Sequence, residues 1–549
     1  MQRKIACEEN SMQATINRMM LGIMAGCLVM SSFVFAQQEP THYVSSDMAT
    51  AYGMAGQVQE QYVPNQPQTI YTNASQQVGD PVAQAEYMYS QQMVYNDGGF
   101  YPGGFYADQY AYGYQPYGYQ PCVTSGYSPS LTCGQWYAGG WIDQGATWRT
   151  SKAGTKNNAP INFNDRFNEY QLNQLYLTMG RSVVNSGCCW DVGGRVDLLY
   201  GSDYLWTSAI GLETRIVDHY GSYQQNPYAL PSKWNGNNGP RLGTFRQAER
   251  FGLAMPQLYA EMYVPVHYGL NIKAGHFYSI MGYESVMSPQ NFFYTHTYSM
   301  MYGQPMTHTG ILFSQKLTPR LTGIFGVTRG WDTWEDPNGK LSYLAGFRWN
   351  TWDGRTEFSM VAGTGNETVS DNLGGTSLPG AIRSNYSMVL SHQLTPRLKL
   401  VTQHDMGYEK SAAEVTRGRG YASEYVDGHW YSFSQYVFYQ LTNKLTIGAR
   451  GEWFRDVNST RIYPHTPVRT YDGAGTLLEG VEGSDYSQVT IGLNWKPHDC
   501  LIIRPEARWD WSGVCYSDKN DPDRNVNGMY GNLEKKSQTT ISLSAMVTF

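Results

Sequence analysis

The stretch TISLSAMVTF, Thr540–Phe549, alternates between apolar and small polar side chains. Ile541, Leu543, Ala545, Val547 and Phe549 are apolar, and Met546 alone among the positions between them breaks the pattern. A repeat of two residues is that of a β-strand with one apolar face. That face must be covered by a protein core or by lipid, and the rest of the sequence decides between the two.

Four short connections resemble one another and join segments of the same alternating character. They read LTPRLT (317–322), LTPRLK (394–399), LTNKLT (441–446) and, more loosely, KPHDCL (496–501). Proline or asparagine followed by a charged residue, between two alternating runs, is typical of a tight turn. We therefore predict that each of these connections ends one strand and begins the next.

Strand-like segments of about 10 to 13 residues recur from Trp136 onward. About 16 are predicted, an even number, near residues 136–149, 168–180, 189–201, 254–264, 268–278, 307–317, 320–332, 340–350, 354–364, 383–394, 397–408, 428–441, 444–456, 484–495, 500–511 and 537–549. Long polar connections alternate with the short turns, namely 202–253, 279–306, 409–427, 457–483 and 512–536.

This alternation favours one fold class. Outer-membrane barrels have short periplasmic turns and long external loops, whereas a sandwich with Greek-key connections has no reason to alternate them. Tryptophans near segment ends, such as Trp148, Trp349 and Trp495, fit the aromatic girdles of such barrels. We predict an all-β fold, a transmembrane antiparallel up-and-down β-barrel of about 16 strands over residues 136–549. Pro505 fits poorly, because proline lacks a donor for the strand ladder.

The N-terminal residues predict export. Lys4 and Arg18 precede an apolar run from Met19 to Phe35, which is typical of a signal peptide cleaved after Ala36. A membrane anchor is the alternative, although the run is short for a spanning helix. Residues 37–135 are rich in Gln, Tyr, Gly and Pro without periodicity, so we expect a disordered segment. The predicted organisation is a signal peptide at 1–36, a low-complexity segment at 37–135 and a barrel at 136–549.

Composition excludes several classes of function. The chain of 549 residues has a formal net charge of -6 and lacks a long basic run, so a nucleic-acid partner has no electrostatic support. No G-x-S-x-G occurs and His404-Asp405 is an isolated adjacency, so we predict no enzyme activity and no cofactor. The predicted mature chain keeps Cys122, Cys133, Cys188, Cys189, Cys500 and Cys515, which lack CxxC spacing and leave the disulfide pairing open.

One motif points to a metal. DRNVNGMYGNLE, Asp523 to Glu534, satisfies the calcium-loop pattern D-x-N-x-N-G-x5-E. Predicted strands rather than helices flank it, however, and only two of its ligands are carboxylates. An ordinary Asn/Gly loop is therefore the preferred interpretation, and no metal site is predicted.

A barrel of about 16 strands is wide enough to hold water. Alternation predicts charges of both signs on its inner face, at Asp191, Arg195, Asp197, Glu261, Lys273, Lys316, Arg348, Arg355, Glu357, Arg450, Glu452, Arg504, Glu506 and Arg508. Facing acids and bases would create a transverse field across a pore, while paired charges in a solvated interior fit the sequence equally well.

The connection 279–306 is too aromatic for an ordinary solvated loop. We predict that it folds inward and narrows the channel, since exposed aromatic patches need burial. Glu284, Asn291 and His296 would then line the constriction, together with Arg348, Arg355, Glu357, Arg450, Glu452, Arg504, Glu506 and Arg508 on the wall. The alternative is an external loop packed on its neighbours or on a second barrel.

Three stretches resemble a known family. The run from Leu270 to Ile311, the repeated LTPRL turns and RPEARWDW, Arg504 to Trp511, are similar to the "putative beta-barrel porin-2, OmpL-like" family. The resemblance spans about residues 135–549 and implies an outer-membrane porin, without transferring any catalytic or substrate residue.

The sequence therefore predicts a water-filled outer-membrane channel for passive diffusion of small hydrophilic solutes. Its expected partners are outer-membrane lipid and those solutes, and analogy with porins suggests a homotrimer. The main alternative is a surface-anchored structural or adhesive barrel whose loops or Tyr/Gln-rich segment bind partners. A barrel hydrolase with a site assembled from separate strands is a third hypothesis.

Overall fold

Sixteen antiparallel strands form one closed barrel, as predicted. The computed structural model describes residues 136–149, 158–185, 189–213, 251–335, 339–367, 382–416, 423–462, 483–514, 528–530 and 535–549. The strands are β1 (Trp136–Arg149), β2 (Tyr170–Arg181), β3 (Asp191–Gly201), β4 (Gly252–Val264), β5 (Leu270–Tyr278), β6 (Thr307–Thr318), β7 (Leu321–Thr328), β8 (Ser342–Asn350), β9 (Thr356–Asn366), β10 (Ile382–Thr395), β11 (Leu398–Thr416), β12 (Ser423–Thr442), β13 (Leu445–Asp456), β14 (Ser484–His498), β15 (Leu501–Ser512) and β16 (Ser537–Thr548).

Helical structure in the described residues is confined to three short turns between strands. These are the helix α1 (Tyr204–Thr207), a 3₁₀ turn at Ser288–Gln290 and a π-helical turn at Ser299–Gly303. Among the same residues, no helix is long and apolar enough to cross a membrane.

The last strand closes the barrel by pairing with both β15 and β1. Ile541 and Leu543 face outward and are exposed, whereas Ser542 is buried inside and its hydroxyl lies 3.0 Å from that of Thr147 on β1. The residue that breaks the alternation, Met546, faces inward and packs in an apolar interior cluster. Its side chain is compatible with the inner face because part of the barrel interior is apolar.

The repeated turns share one hydrogen-bonding pattern. The hydroxyl of Thr318 accepts bonds from the backbone N–H groups of Arg320 and Leu321, at 3.2 and 3.0 Å. Thr395 does the same for the N–H groups of Arg397 and Leu398, at 3.3 and 3.1 Å. A threonine that satisfies two N–H groups of a two-residue turn explains why the LT-P-R-L sequence recurs.

The structure corrects one predicted connection and explains how a proline is accommodated in a strand. The predicted long connection 409–427 is wrong, because β11 continues to Thr416 and β12 begins at Ser423. Pro505 lies within β15 and pairs with Leu543 of β16. On its other side the β14–β15 pairing has a gap between Gly492↔Glu506 and Trp495↔Ile503, so no ladder donor is required of the proline there.

The inner face is more apolar than alternation with a wet lumen predicts. Leu312, Ile324, Leu344 and Val361 project inward from β6 to β9 and are buried. Ile280 and Met281 of the connection 279–306 belong to the same cluster, together with Tyr259 and Phe277 of β4 and β5, which explains how an apolar patch is tolerated inside the barrel.

Several sequence predictions lie outside the described residues. These are the signal peptide, the segment 37–135, Cys122, Cys133, Cys188, Cys515 and most of the loop from Asp523 to Glu534. Cys500 is disulfide-bonded. The part of the chain that the structure describes contains no group of three or more His, Cys, Asp or Glu side chains placed to hold a metal ion.

Candidate functional site: the loop inside the barrel

The connection 279–306 between β5 and β6 lies inside the barrel. It is buried almost throughout, and Thr297, Tyr298 and Ser299 have no exposed surface. The loop therefore occupies the position where a constriction would form, and its contacts with the wall determine how firmly it is held there.

Two wall carboxylates bind the backbone of the loop. Glu452 on β13 accepts from the N–H groups of Tyr298 and Ser299 at 2.8 and 2.7 Å. Glu506 on β15 accepts from the N–H groups of Tyr294 and Thr295, the shortest distances being 2.8 and 3.2 Å. Buried backbone donors must find partners, and charged acceptors make the stronger hydrogen bonds. These two acids thus fix consecutive parts of the loop.

Three wall arginines bind the loop's carbonyl groups. Arg450 donates to Thr295 O at 2.6 Å, and Arg508 donates to His296 O at 2.5 Å. Arg504 donates to the carbonyls at 288 and 291, both at 3.2 Å. Donors and acceptors from β13 and β15 therefore alternate along the same stretch of loop backbone.

Each of these arginines also has an acidic partner. Arg450 pairs with Glu284 of the loop, with an N···O distance of 2.7 Å. Arg504 pairs with Asp143 and Arg508 with Asp510, again at 2.7 Å. All three guanidinium groups are almost completely buried, where an unpaired charge would be costly. In this arrangement the charges hold the loop and neutralise one another, in addition to any effect on a solute.

The other two candidates on the loop stabilise its conformation. The Asn291 side chain accepts from Ser285 N at 2.9 Å and donates to Ser285 O at 2.5 Å. His296 Nδ1 lies 3.3 Å from a carboxylate oxygen of Glu284, and the imidazole packs against Phe163 with 4.6 Å between ring centroids.

Uncharged side chains on β2 form a further anchor that the sequence analysis missed. Gln174 Nε2 donates to Val286 O at 2.7 Å and to Asp203 at 2.8 Å. Asn173 binds the hydroxyl of Tyr294 at 2.7 Å and also donates to Asp203 at 2.9 Å. Burial raises the pKa of Asp203 to about 8, against the effect of these hydrogen bonds. Two adjacent inward amides, Asn173-Gln174, were the available signal, and they are possible because the β1–β2 register shifts here.

Further missed anchors lie on β11 and β12. Ser299 Oγ donates to Asp405, which also accepts from Ser432 at 2.7 Å. Trp430 Nε1 donates to Gly303 O at 3.0 Å. Asp405 was noticed in sequence only beside His404, yet the two side chains point to opposite faces of β11 because neighbours in a strand alternate.

Aromatic rings of the loop fit against inward-facing glycines. A Cβ added to Gly448 on β13 would lie 2.4 Å from the ring of Phe292. A Cβ on Gly145 of β1 would come within 2.7 Å of the Tyr294 ring. These distances are too short for any side chain, so glycine at both places allows the loop to approach the wall.

The remaining sequence candidates lie apart from this network. Arg348 on β8 and Glu357 on β9 are partly exposed and occupy inward positions of their strands. Arg355 lies in the turn between β8 and β9, where it donates to the backbone carbonyls of Gln393 and Leu394 at 3.2 and 2.9 Å. The structure therefore brings together eight of the eleven candidates and leaves these three outside the cluster.

A cluster of arginine and tryptophan braces the end of the barrel that carries the long loops. The guanidinium of Arg461 lies 4.9 Å from the Trp331 ring centroid and 4.7 Å from that of Trp430. The guanidinium of Arg383 lies 4.7 Å from the Trp331 ring centroid. Arg383 and Arg461 both pair with Glu409, with N···O distances of 2.7 and 3.6 Å. Such cation–π contacts connect β10, β11 and β12 with two external connections.

A family model decides the relationship of the chain to known proteins. The model described as "putative beta-barrel porin-2, OmpL-like" matches residues 136–549. The chain belongs to this porin family. The resemblance inferred from its turns and strands is thereby confirmed, and the porin is an outer-membrane channel for small solutes.

Comparisons with other proteins gave structural matches only. No curated protein matches the porin. OprB of Pseudomonas putida at high pH is 11% identical, with a TM-score of 0.44 over 75% of the porin and 94% of that chain. DcaP of Acinetobacter baumannii, titled an outer membrane channel, is 11% identical with a TM-score of 0.42 over 77% and 99%. OmpT of Vibrio cholerae, expressed in the outer membrane, is 9% identical with a TM-score of 0.43 over 77% and 99%.

Proposed function

We propose that the porin passes small hydrophilic solutes by passive diffusion through its lumen, and that the loop 279–306 forms the constriction. The observation that carries this proposal is the fixation of the loop backbone by Glu452, Glu506 and the three wall arginines. A loop held by charged, buried hydrogen bonds keeps a constant aperture, which a passive channel needs. Arg348 and Glu357, at inward positions away from the loop, remain predicted pore-lining residues.

The finer features of this function are also proposals. We infer that residues 1–36 are a cleaved signal peptide, that 37–135 precede the barrel domain at 136–549, and that the protein is not an enzyme. Membership in a porin family supports the last point. We further infer that copies of the chain associate, as a homotrimer or another closed assembly, and that outer-membrane lipid surrounds the assembly.

Planar-bilayer recording of the refolded full-length protein tests the proposed channel. We expect stepwise conductance, and a larger step for a variant in which residues 282–303 are replaced by a short Gly/Ser linker. The variant Gly451→Ala serves as a control, because Gly451 occupies an outward position of β13 and has open space around it. The absence of any conductance would overturn the channel, and equal steps with and without the loop would overturn its role as the constriction.

A further inference from the structure

Polar side chains lie together on the outer face of β10, β11 and β12. Thr402 and His404 on β11, Gln435 on β12 and Tyr386 on β10 all occupy outward positions and are partly exposed. Their sequence neighbours Gln403 and Asp405 point inward, where they bind the loop. Alternation along the strand therefore puts this polar group on the surface that faces the membrane.

The polar group lies at the depth of the hydrocarbon. On the outward face of β12, Gln435 is midway between Tyr431 and Tyr439, and rings of this kind mark the two interfaces of a barrel. Thr402 pairs with Gln435, and His404 is two residues further along β11. An amide, a hydroxyl and an imidazole are thus placed in the middle of the apolar band, where polar groups are rare and costly.

Internal hydrogen bonds use the donors of Thr402 and Gln435 but not the whole of His404. Thr402 Oγ1 donates to Gln435 Oε1 at 2.8 Å, and Gln435 Nε2 donates to Val401 O at 3.0 Å and to Tyr436 O at 3.1 Å. His404 Nδ1 lies 3.4 Å from the hydroxyl of Tyr386, and the two rings stack with centroids 5.8 Å apart. The second ring nitrogen of His404 makes no hydrogen bond to any residue in the described part of the chain.

The strands that follow β12 around the barrel have a different surface. Ile447, Ile491 and Leu543, on β13, β14 and β16, occupy central outward positions and are exposed aliphatic residues. The one comparable polar residue there is Gln144 on β1, which accepts from the Tyr170 hydroxyl at 2.6 Å. Most of the barrel therefore presents an ordinary lipid-facing surface, and the polar face is confined to β10–β12.

We propose that this β10–β12 face contacts a second copy of the same chain instead of lipid. The proposal rests on the oligomer inferred above and adds the surface through which it forms. Two copies inserted in one membrane with the same orientation bring Thr402, His404 and Gln435 to the same depth. The second ring nitrogen of His404 can donate, and the oxygens of Thr402 and Gln435 can each accept a further hydrogen bond. The patch is therefore complementary to itself, as an interface about a two-fold axis requires.

Photo-crosslinking in outer membranes tests the contact without altering the polar residues. A benzophenone amino acid is placed at Met406 or Val437, which flank the polar group on the same face. The controls are Leu177 on β2 and Leu198 on β3, which are exposed and lie on the opposite side of the barrel. We expect a covalent dimer of the full chain from the first two positions and little from the controls. A dimer from the control positions alone would show that the oligomer uses another face. Adducts with lipid or with a different protein, or no adduct, would likewise overturn the proposal.

A double variant tests the contribution of the polar groups. With His404→Leu and Gln435→Leu, the face becomes an ordinary lipid-facing surface, and the oligomer-to-monomer equilibrium constant should fall about tenfold or more, the change expected for one lost hydrogen bond. The variant Ile447→Leu should leave it unchanged. Conductance of each barrel should stay the same in both, which separates this proposal from that of the constriction. An unchanged equilibrium in the double variant would contradict a polar contact.

Discussion

Replacing Glu452 by leucine should release one end of the interior loop from the wall. The carboxylate has no exposed surface and accepts from the N–H groups of Tyr298 and Ser299, at the start of the π-helical turn Ser299–Gly303. A hydrogen bond to a charged group contributes about 1.5–3 kcal/mol, so the loss of both costs about 3–6 kcal/mol. Since about 1.4 kcal/mol is a factor of ten, the displaced loop should become roughly 10² to 10⁴ times more populated.

The lower end of this range is the better expectation, because neighbouring contacts remain. The Tyr298 hydroxyl still donates to Asp510 at 2.8 Å, and Arg508 still donates to His296 O. Contacts within one network are not additive, so the second set limits how far the loop can move. Glu452→Gln should have a smaller effect, since the amide keeps one carbonyl oxygen as an acceptor.

Single-channel recording and limited proteolysis of the folded protein measure the release. Glu452→Leu should show frequent transitions to a larger conductance and new cleavage between residues 279 and 306. Glu452→Gln should lie between this variant and the parent, and Gly451→Ala, at the neighbouring outward position, should match the parent. Heat-modifiable migration on gels shows whether Glu452→Leu folds. If it folds and has the same steady conductance as the parent, Glu452 does not hold the loop in the channel.

Three other predictions concern packing, pH and closure of the barrel. Gly448→Ala should displace the Phe292 ring and destabilise the fold by about 1–3 kcal/mol. Gly451→Ala on the same strand should not destabilise it, because Gly451 has open space around it. Equal urea midpoints for the two variants would contradict the close approach of Phe292 to Gly448. Burial raises the pKa of Glu213 from 4.5 to about 7, against hydrogen bonds from two backbone N–H groups, so the folded protein keeps this proton where the unfolded chain has lost it. Stability should therefore fall as pH rises from about 4.5 to about 7, by up to about 3 kcal/mol, and Glu213→Gln should reduce that slope in unfolding experiments at several pH values; an unchanged slope would exclude the buried proton. Deleting Phe549 removes two backbone hydrogen bonds to Gly140, both of 2.9 Å, and should lower the yield of assembled barrel in the outer membrane. A normal yield would show that these hydrogen bonds are dispensable.

The barrel itself was predictable because its signals are local. Alternation and turn chemistry are read within about ten residues, and β1, predicted at 136–149, has those bounds. The connection 409–427 was misjudged for a related reason. Polar residues near the ends of β11 and β12 lie beyond the apolar band, where a strand continues without an apolar face to mark it.

The anchors of the loop were predictable only in part. Charged inward residues such as Arg450 and Glu506 were predicted from the alternation of side chains along the strand, but alternation does not reveal what they bind. Glu506 binds residues 211 and 212 positions away, and no pattern in either segment records the other. Asp405 was missed because a single inward polar residue is an ordinary feature of a barrel strand. Gln174 was missed because alternation along a regular strand does not predict two adjacent inward amides.

The pairing of β1 with β16 determines when the protein can fold. Thr147 and Ser542, which touch across this seam, are 395 residues apart, and the interior loop is held by β2 from one end of the chain and by β15 from the other. Contacts at such sequence separations form slowly, because loop-closure entropy is lost before they contribute. We therefore expect that an unfinished polypeptide cannot enclose its own loop. We also expect that a chaperone must protect the aggregation-prone intermediate until the C-terminal strand has been synthesised and exported.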